Sequence, residues 1–178
     1  MGVIRRGRLI ESRLMSSMLK ALAVIGISVI ASDGATAQGV VLQRNLSLTM
    51  ARTIAEATIA ACKSKGFNTA AVVVDRAGQV MVILRDEQGT AQMVEMARRK
   101  AYTARMFRTS TLEFQKRTAS DPTLAPQRDV ADILALGGGV PIQVGGETIG
   151  GVGSSGSSQE MDDACAKAGV AKVAEQLK

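Results

Sequence analysis

Residues 70–85, AAVVVDRAGQVMVILR, predict two short β-strands joined by a tight turn. Apolar residues, many of them β-branched, occupy 70–74 and 80–84, and the turn-forming sequence RAGQ lies between them at 76–79. Strands joined by so short a connection pair antiparallel. The sequence therefore predicts a domain built on an antiparallel sheet.

Helices are predicted on both sides of this hairpin. Residues 48–65 carry apolar side chains at helical spacing, and Gly66 ends the pattern. Residues 90–107 form a second predicted helix with a stripe of small side chains, Val94, Ala97, Ala101 and Ala104. Small side chains on one face indicate that this helix lies close to another element.

A second hairpin and a last helix complete the order. The sequences VPIQV at 140–144 and ETIGGV at 147–152 flank two glycines, a favoured two-residue hairpin turn. A helix is predicted from 157 to the chain end, opened by a serine three residues before Glu160. Between the hairpins, the polar, proline-containing segment 109–128 predicts a short helix and an exposed loop. The order indicates an α+β domain with helices against a mainly antiparallel sheet.

Residues 1–37 are predicted to be an export signal. A basic stretch at 5–20 precedes the uncharged apolar run ALAVIGISVIA at 21–31, and the small-residue sequence ATA at 35–37 predicts cleavage after Ala37. The apolar run has about eleven residues, whereas a membrane-spanning helix needs about 20, so a retained anchor is the weaker interpretation. We expect a periplasmic or secreted protein.

The start of this signal is open between Met1, Met15 and Met18. In each case the mature domain is predicted to be residues 38–178.

Composition excludes several classes of protein. The sequence contains no His, so His-based catalytic triads and His-ligated zinc or haem are excluded. Aromatic residues make up 2% of the chain, too few for a base-stacking platform. The net charge is +6, but five basic and two acidic residues belong to 1–37. The remaining excess is small, and we expect no nucleic-acid partner.

Two cysteines, Cys62 and Cys165, fall on the first and last predicted helices. Export to an oxidising compartment permits a disulfide between them. Cysteine is also a common small buried residue in helices, and two separate buried thiols are the favoured prediction. The disulfide remains the alternative.

The glycine-rich sequence GVGSSG at 151–156 fits the G-x-G-x-x-G pattern of dinucleotide sites. A dinucleotide site also requires a following parallel strand with an acidic residue, which residues 157–178 do not predict. A glycine-rich loop before a helix still offers backbone N–H groups to an anion. Candidate ligand contacts are therefore Gly153, Ser154, Ser155 and Gly156; the alternative is that the glycines only permit a tight connection.

Three segments together resemble the GlcG/HbpS family, also called haem-degrading or DUF336 domains: VVVDRAGQVMVILRD, MARRKAYTARMFRTST and GGGVPIQVGGETIGGVGSSGSSQEMDDACAKAG. The resemblance covers about residues 45–178. It implies a three-layer, profilin-like α/β/α domain with a five-stranded antiparallel sheet, assembled as a dimer to an octamer. It also implies haem or related tetrapyrrole binding, and in some members iron-dependent haem breakdown.

A haem site needs an apolar slot, cationic or N–H partners for the propionates, and usually one axial ligand. On the second predicted helix, Met93, Met96 and Lys100 share one face, and Tyr102 lies near the opposite side. Tyr102 is the only phenol of the chain and the candidate axial ligand; without His, the other possible ligands are Met, Thr or water. Core or oligomer packing of the methionines, and a solvated position or subunit salt bridges for Lys100, are the favoured alternatives.

Arg85 and Asp86 end the second predicted strand and could mark a pocket for a small acid, with Arg85 gripping a carboxylate. A surface ion pair is the alternative.

Two functions follow: an exported haem-binding or tetrapyrrole-binding protein, with binding favoured over catalysis because no general base stands out, or an exported small-carboxylate binding protein or enzyme. A purely structural role in an oligomer stays open.

Overall fold

A computed structural model of the protein describes residues 39–178. The predicted export signal lies outside the described residues. The helices are α1 Leu48–Lys63, α2 Ala91–Phe107, α3 Thr111–Ser120 and α4 Gln159–Ala171. The strands are β1 Ala70–Val74, β2 Val80–Arg85, β3 Gly139–Val144 and β4 Glu147–Ser155. Short 3-10 helices occupy Ala125–Asp129 and Ala174–Leu177.

The four strands form one antiparallel sheet in the order β2-β1-β4-β3. The α+β prediction and both hairpins are confirmed. The five strands implied by the family resemblance are not found: the described residues form four, the strands of the two predicted hairpins. The second hairpin turns at Gly145 and Gly146, whose φ angles of 55° and 81° suit the turn predicted there.

Helices cover both faces of the sheet. The side chains of Ala71 and Val73 pack in one core cluster under α1 and α4, whereas Ala70, Val72 and Val74 pack in a second cluster under α2. All five β1 residues are buried. This uninterrupted apolar strand therefore lies at the centre of a three-layer α/β/α arrangement.

The glycines of β4 let α2 lie directly on the sheet. A Cβ atom at Gly153 would overlap the carbonyl oxygen of Ala97, and one at Gly151 would overlap that of Ala101. The predicted glycine-rich loop is therefore wrong for 151–155, which continue β4. Close packing of a helix on a strand, which only glycine permits here, explains this sequence.

A disulfide joins Cys62 of α1 to Cys165 of α4, with 5.5 Å between the two Cα atoms. The favoured prediction of two separate thiols is wrong. Both helices lie side by side on the same face of the sheet, which brings the cysteines within bonding distance although 103 residues separate them.

Helix α4 ends at Ala171, earlier than the prediction of a helix to the chain end, and a 3-10 turn follows. Among residues 39–178, no helix combines the length and the apolar character needed to cross a bilayer.

Candidate functional site

Lys100 of α2 and Asp162 of α4 form an ion pair inside the protein. The Lys100 Nζ atom lies 2.8 Å from Asp162 Oδ2 and donates a second hydrogen bond, 3.0 Å long, to the carbonyl of Ser154. The two side chains are 2% and 3% exposed. Because α2 and α4 cover opposite faces, the lysine side chain passes the sheet to reach its partner.

The surroundings of this pair are built to hold it. Gly138, with φ 123°, leaves room for the ammonium, since a Cβ there would lie 2.9 Å from Nζ. The second carboxylate oxygen of Asp162 accepts hydrogen bonds from the hydroxyl and backbone N–H of Ser157, at 2.7 and 3.2 Å. Both charges are thus satisfied by protein groups, and the geometry favours a structural role for Lys100 over contact with a ligand.

The candidate ligand contacts of the glycine-rich sequence at 151–156 lie beside the Lys100–Asp162 pair. Gly153, Ser154 and Ser155 are buried residues of the central strand β4, whose backbone pairs with its neighbours; the Ser154 N–H, for example, donates to Gly138 at 2.8 Å. Gly156, with φ 143°, turns the chain towards α4, and a Cβ there would lie 2.5 Å from the carbonyl of Asn68.

Arg85 and Asp86 lie at the end of β2, and their side chains bind nearby protein groups. The Arg85 Nη1 atom donates to the carbonyl of Gly89 at 2.9 Å, which closes the loop after the strand. Asp86 is buried and pairs with Lys63 at 3.2 Å. Hydrogen bonding with Glu87 and pairing with Lys63 lower the pKa of Asp86, so that the carboxylate stays ionised.

The register separates the predicted site residues into two groups. Arg85 and Ser155 both lie opposite Ala70, on either side of β1. Tyr102 lies at the other end of the sheet, where its ring packs against Gly78 in the turn between β1 and β2. The sequence-predicted anion contacts and the candidate axial ligand therefore do not form one site.

Tyr102 is half-buried, and its hydroxyl makes no hydrogen bond to another residue in the range 39–178. Gly78 is required beneath it for two reasons. Its φ of 82° disfavours other residues, and a Cβ would lie 2.8 Å from two ring carbons of Tyr102. Of the methionines, Met93 packs against the core cluster under α2, and Met96 is half-buried.

A pocket of about 260 Å³ lies beside this turn. We name it the turn pocket, and its lining residues are Gln43, Asn45, Asp75, Arg76, Ala77 and Arg105. Arg105 follows Tyr102 by three residues, so the phenol and the guanidinium lie on neighbouring positions of one helix face.

The charged side chains in the lining of the turn pocket are two arginines and one aspartate. Arg76 pairs with Glu147 at 2.6 Å, and the Asp75 Oδ1 atom accepts two backbone N–H bonds of its own turn, at 2.8 and 2.9 Å. Arg105 donates only through Nε, to the Arg76 carbonyl at 2.6 Å. Burial first, and then the charges of Arg76 and Arg108, lower the pKa of Arg105, whereas Asp75 opposes this shift; no carboxylate of residues 39–178 forms a salt bridge with the guanidinium.

Sequence reasoning misses most of the turn pocket. From the sequence, Arg76 is only a turn residue and Arg105 part of a solvated helix face, while Gln43 and Asn45 carry no signal. The one usable sign is the charged turn sequence DRAGQ beside a helix rich in arginine. In the range 39–178, no group of three or more Cys, Asp and Glu side chains could hold a metal ion.

Comparison with known proteins identifies relatives of this chain. The model of the family described as haem degrading protein HbpS-like matches residues 46–171. A crystal structure of a double mutant of Streptomyces reticuli HbpS is 33% identical, with TM-score 0.72, and the match covers 77% of this chain and 92% of that one. A search of curated proteins finds no match.

Two further structures share the fold. The PduOC:heme complex is 26% identical with TM-score 0.64, over 71% of this chain and 94% of that chain. The Klebsiella pneumoniae protein ORFY, assigned to DUF336, is 22% identical with TM-score 0.72, over 76% and 95% of the two chains.

Proposed function

Because the chain belongs to the HbpS-like family of haem-degrading proteins, we propose that it is an exported protein that binds haem or a related tetrapyrrole. The observation that carries the proposal is the 33% identity to HbpS over almost the whole described domain. A relative of 26% identity whose structure is a haem complex supports the same ligand class. These comparisons favour haem over the small-carboxylate alternative as the principal ligand.

The region around Tyr102 suits such a ligand best. Tyr102 supplies a half-buried phenol oxygen without a partner among the described residues, and a phenolate is one of the axial ligands that haem iron accepts. Cations lie nearby at Arg76 and Arg105. A bound haem would supply a redox-active iron. The turn pocket is smaller than the roughly 300–1,000 Å³ of pockets for larger ligands, so the macrocycle would lie outside it, against the Tyr102 side of α2.

We assign binding rather than catalysis to this region. The carboxylates that could act as a general base are engaged elsewhere, since Asp75 is held by its own turn, Asp86 by Lys63 and Asp162 by Lys100. A base must reach the proton that it removes.

A hemin titration of residues 38–178 tests the function. We expect a saturable Soret shift, and Tyr102→Phe should change the spectrum by removing the phenolate ligand. Met96→Leu is the matched control and should leave the spectrum unchanged; a change confined to this variant would transfer the ligand role to the methionine. The absence of any saturable shift would contradict haem binding.

Export is supported by two features of the chain. The sequence of residues 1–37 has the pattern of a signal peptide, and a disulfide such as Cys62–Cys165 is typical of oxidising compartments. Fractionation of cells that express the full chain tests the proposal. We expect a periplasmic or secreted product whose amino terminus is Gln38, and an intact cytoplasmic chain would contradict it.

We also propose a homo-oligomer, from a dimer to an octamer. Strand β2 is an edge strand with unpaired backbone groups, and its apolar side chains Val80 and Ile83 are 42% and 49% exposed. Light scattering should give a mass above that of the monomer, and Ile83→Lys should lower it. Val130→Lys, which changes an exposed apolar residue outside the sheet, should not.

A further inference from the structure

We propose that the turn pocket is a carboxylate-binding site in which Arg105 is the principal partner. The carboxylate could belong to a propionate side chain of a tetrapyrrole or to a free small acid, and the chemistry of recognition is the same. The propionate form rests on the proposed function, whereas the free-acid form does not.

The guanidinium of Arg105 has the hydrogen-bonding capacity that this role needs. Its Nε donates to the Arg76 carbonyl, which fixes the plane of the group against the turn. Its two terminal nitrogens make no hydrogen bond and no salt bridge within residues 39–178. Two such nitrogens are the fork that binds a carboxylate in bidentate geometry.

The charges around Arg105 favour an anion. Arg76 and Arg108 are close enough to act on Arg105 electrostatically, whereas Asp75 opposes them and Glu147 pairs with Arg76 at 2.6 Å. The Asp75 carboxylate is partly compensated by the N–H groups of Ala77 and Gln79. Arg105 is therefore a half-buried cation that forms no salt bridge with a carboxylate of residues 39–178.

Three arginines of the described residues, Arg52, Arg76 and Arg98, form salt bridges with carboxylates. Arg52 and Arg98 pair with carboxylates of their own helices, at 2.7 and 2.8 Å. Both of these side chains therefore have their counter-ion built into the fold, whereas Arg105 presents its fork to the turn pocket.

The turn that forms one wall of the pocket is held by its own hydrogen bonds before any ligand arrives. The turn is closed by backbone hydrogen bonds between Asp75 and Gln79 at 2.8 Å and between Gly78 and Asp75 at 3.0 Å. The Asn45 Oδ1 atom accepts the N–H of Leu46, which leaves the amide nitrogen of Asn45 as a further donor at the pocket. Preorganised donors reduce the ordering cost of binding.

The size of the pocket limits the ligand. A volume of about 260 Å³ is enough for one carboxylate group with a short carbon chain and too small to enclose a macrocycle. A tetrapyrrole could therefore place only one of its propionates here.

The test uses residues 38–178 and three variants. Arg105→Gln removes the charge and the fork, and Arg105→Lys keeps the charge but not the fork, which preserves the test if the glutamine variant does not fold. Arg52→Gln is the control: it removes an exposed cation of α1 that pairs with Glu56 and lies outside the pocket lining. Thermal stability is followed against succinate at constant ionic strength, and affinity is measured for hemin and for hemin dimethyl ester.

Stabilisation by succinate in wild type and Arg52→Gln, with an affinity about tenfold or more weaker in the Arg105 variants, would show a site for free acids. If succinate has no effect, the proposal requires that Arg105→Gln weaken hemin about tenfold while the dimethyl ester binds both proteins alike. If the Arg105 variants change neither the stabilisation by succinate nor the affinity for hemin, the proposal is overturned. A protein that binds succinate through Arg105 but no hemin would refute the proposed function and keep this site.

Discussion

Lys100 and Asp162 join the two helical layers of the protein by an ion pair of 2.8 Å that passes the sheet beside Ser154 of β4. Each charge also has a second protein partner, the Ser154 carbonyl for Lys100 and Ser157 for Asp162. Such a pair adds little net stability compared with apolar residues, but removing one partner leaves an uncompensated buried charge.

We therefore expect Lys100→Met to lower the free energy of unfolding by about 3–5 kcal/mol in urea denaturation. The control is Lys116→Met, which removes one partner of the exposed Lys116–Glu113 pair and should cost at most about 1 kcal/mol. Equal losses in the two variants would show that the Lys100–Asp162 pair is not buried.

The disulfide predicts a strong dependence of stability on oxidation. It links residues 103 positions apart and so constrains the unfolded chain over most of the domain. Replacing both cysteines by alanine should lower the free energy of unfolding by about 2–5 kcal/mol. Reductant should lower the urea midpoint of the wild type and leave that of the double variant unchanged. If reductant does not change the urea midpoint of the wild type, this would contradict the presence of the Cys62–Cys165 disulfide.

The elements of this fold are predictable because their signals are local. The hairpin at 70–85, the Gly145–Gly146 turn and helix α2 follow from residue types a few positions apart. The errors concern residues whose partners are distant in sequence. Lys100 has a buried partner 62 positions away, and a lone lysine on a helix is ordinarily solvated. The two cysteines carry no sign of their relative position until α1 and α4 are placed.

The glycines at 151–156 show a different limit. Glycine permits both a loop that binds an anion and a strand crossed closely by a helix, and the sequence does not distinguish the two. In the turn pocket, the relevant neighbours come from three separate segments, 43–45, 75–77 and α2, so that no motif could mark it.

Gly153→Ala should be among the most damaging single-methyl additions in the protein. The added carbon would overlap the Ala97 carbonyl, and a helix backbone cannot move aside as a flexible side chain can. We expect a loss of about 4 kcal/mol or more, or failure to fold, measured by thermal unfolding with circular dichroism. Gly146→Asn is the control, since a Cβ there meets nothing within 4 Å and asparagine tolerates φ 81°. A stable Gly153→Ala protein would mean that α2 does not lie on β4 as described.

Low pH should weaken the contact between α2 and the loop that precedes β3. Arg98 binds Asp132 of this loop at 2.6 Å and Glu95 of its own helix at 2.8 Å. Hydrogen bonding from Arg98 lowers the pKa of both carboxyl groups. A lowered pKa means that the stabilisation is fully present above the ordinary value of about 4 and is lost as the pH falls through the lowered value.

Asp132→Asn tests this dependence without disturbing the backbone, because asparagine adopts the φ of 66° found at this position. The variant should be less stable than wild type at pH 7 in urea denaturation, and the difference should shrink as the pH falls below about 4. In an Arg98→Met background the two carboxylates lack their shared partner, so the substitution at position 132 should have little effect at any pH. A difference that stays constant from about pH 7 to about pH 2.5 would show that the ion pair with Arg98 contributes nothing to the position of the loop.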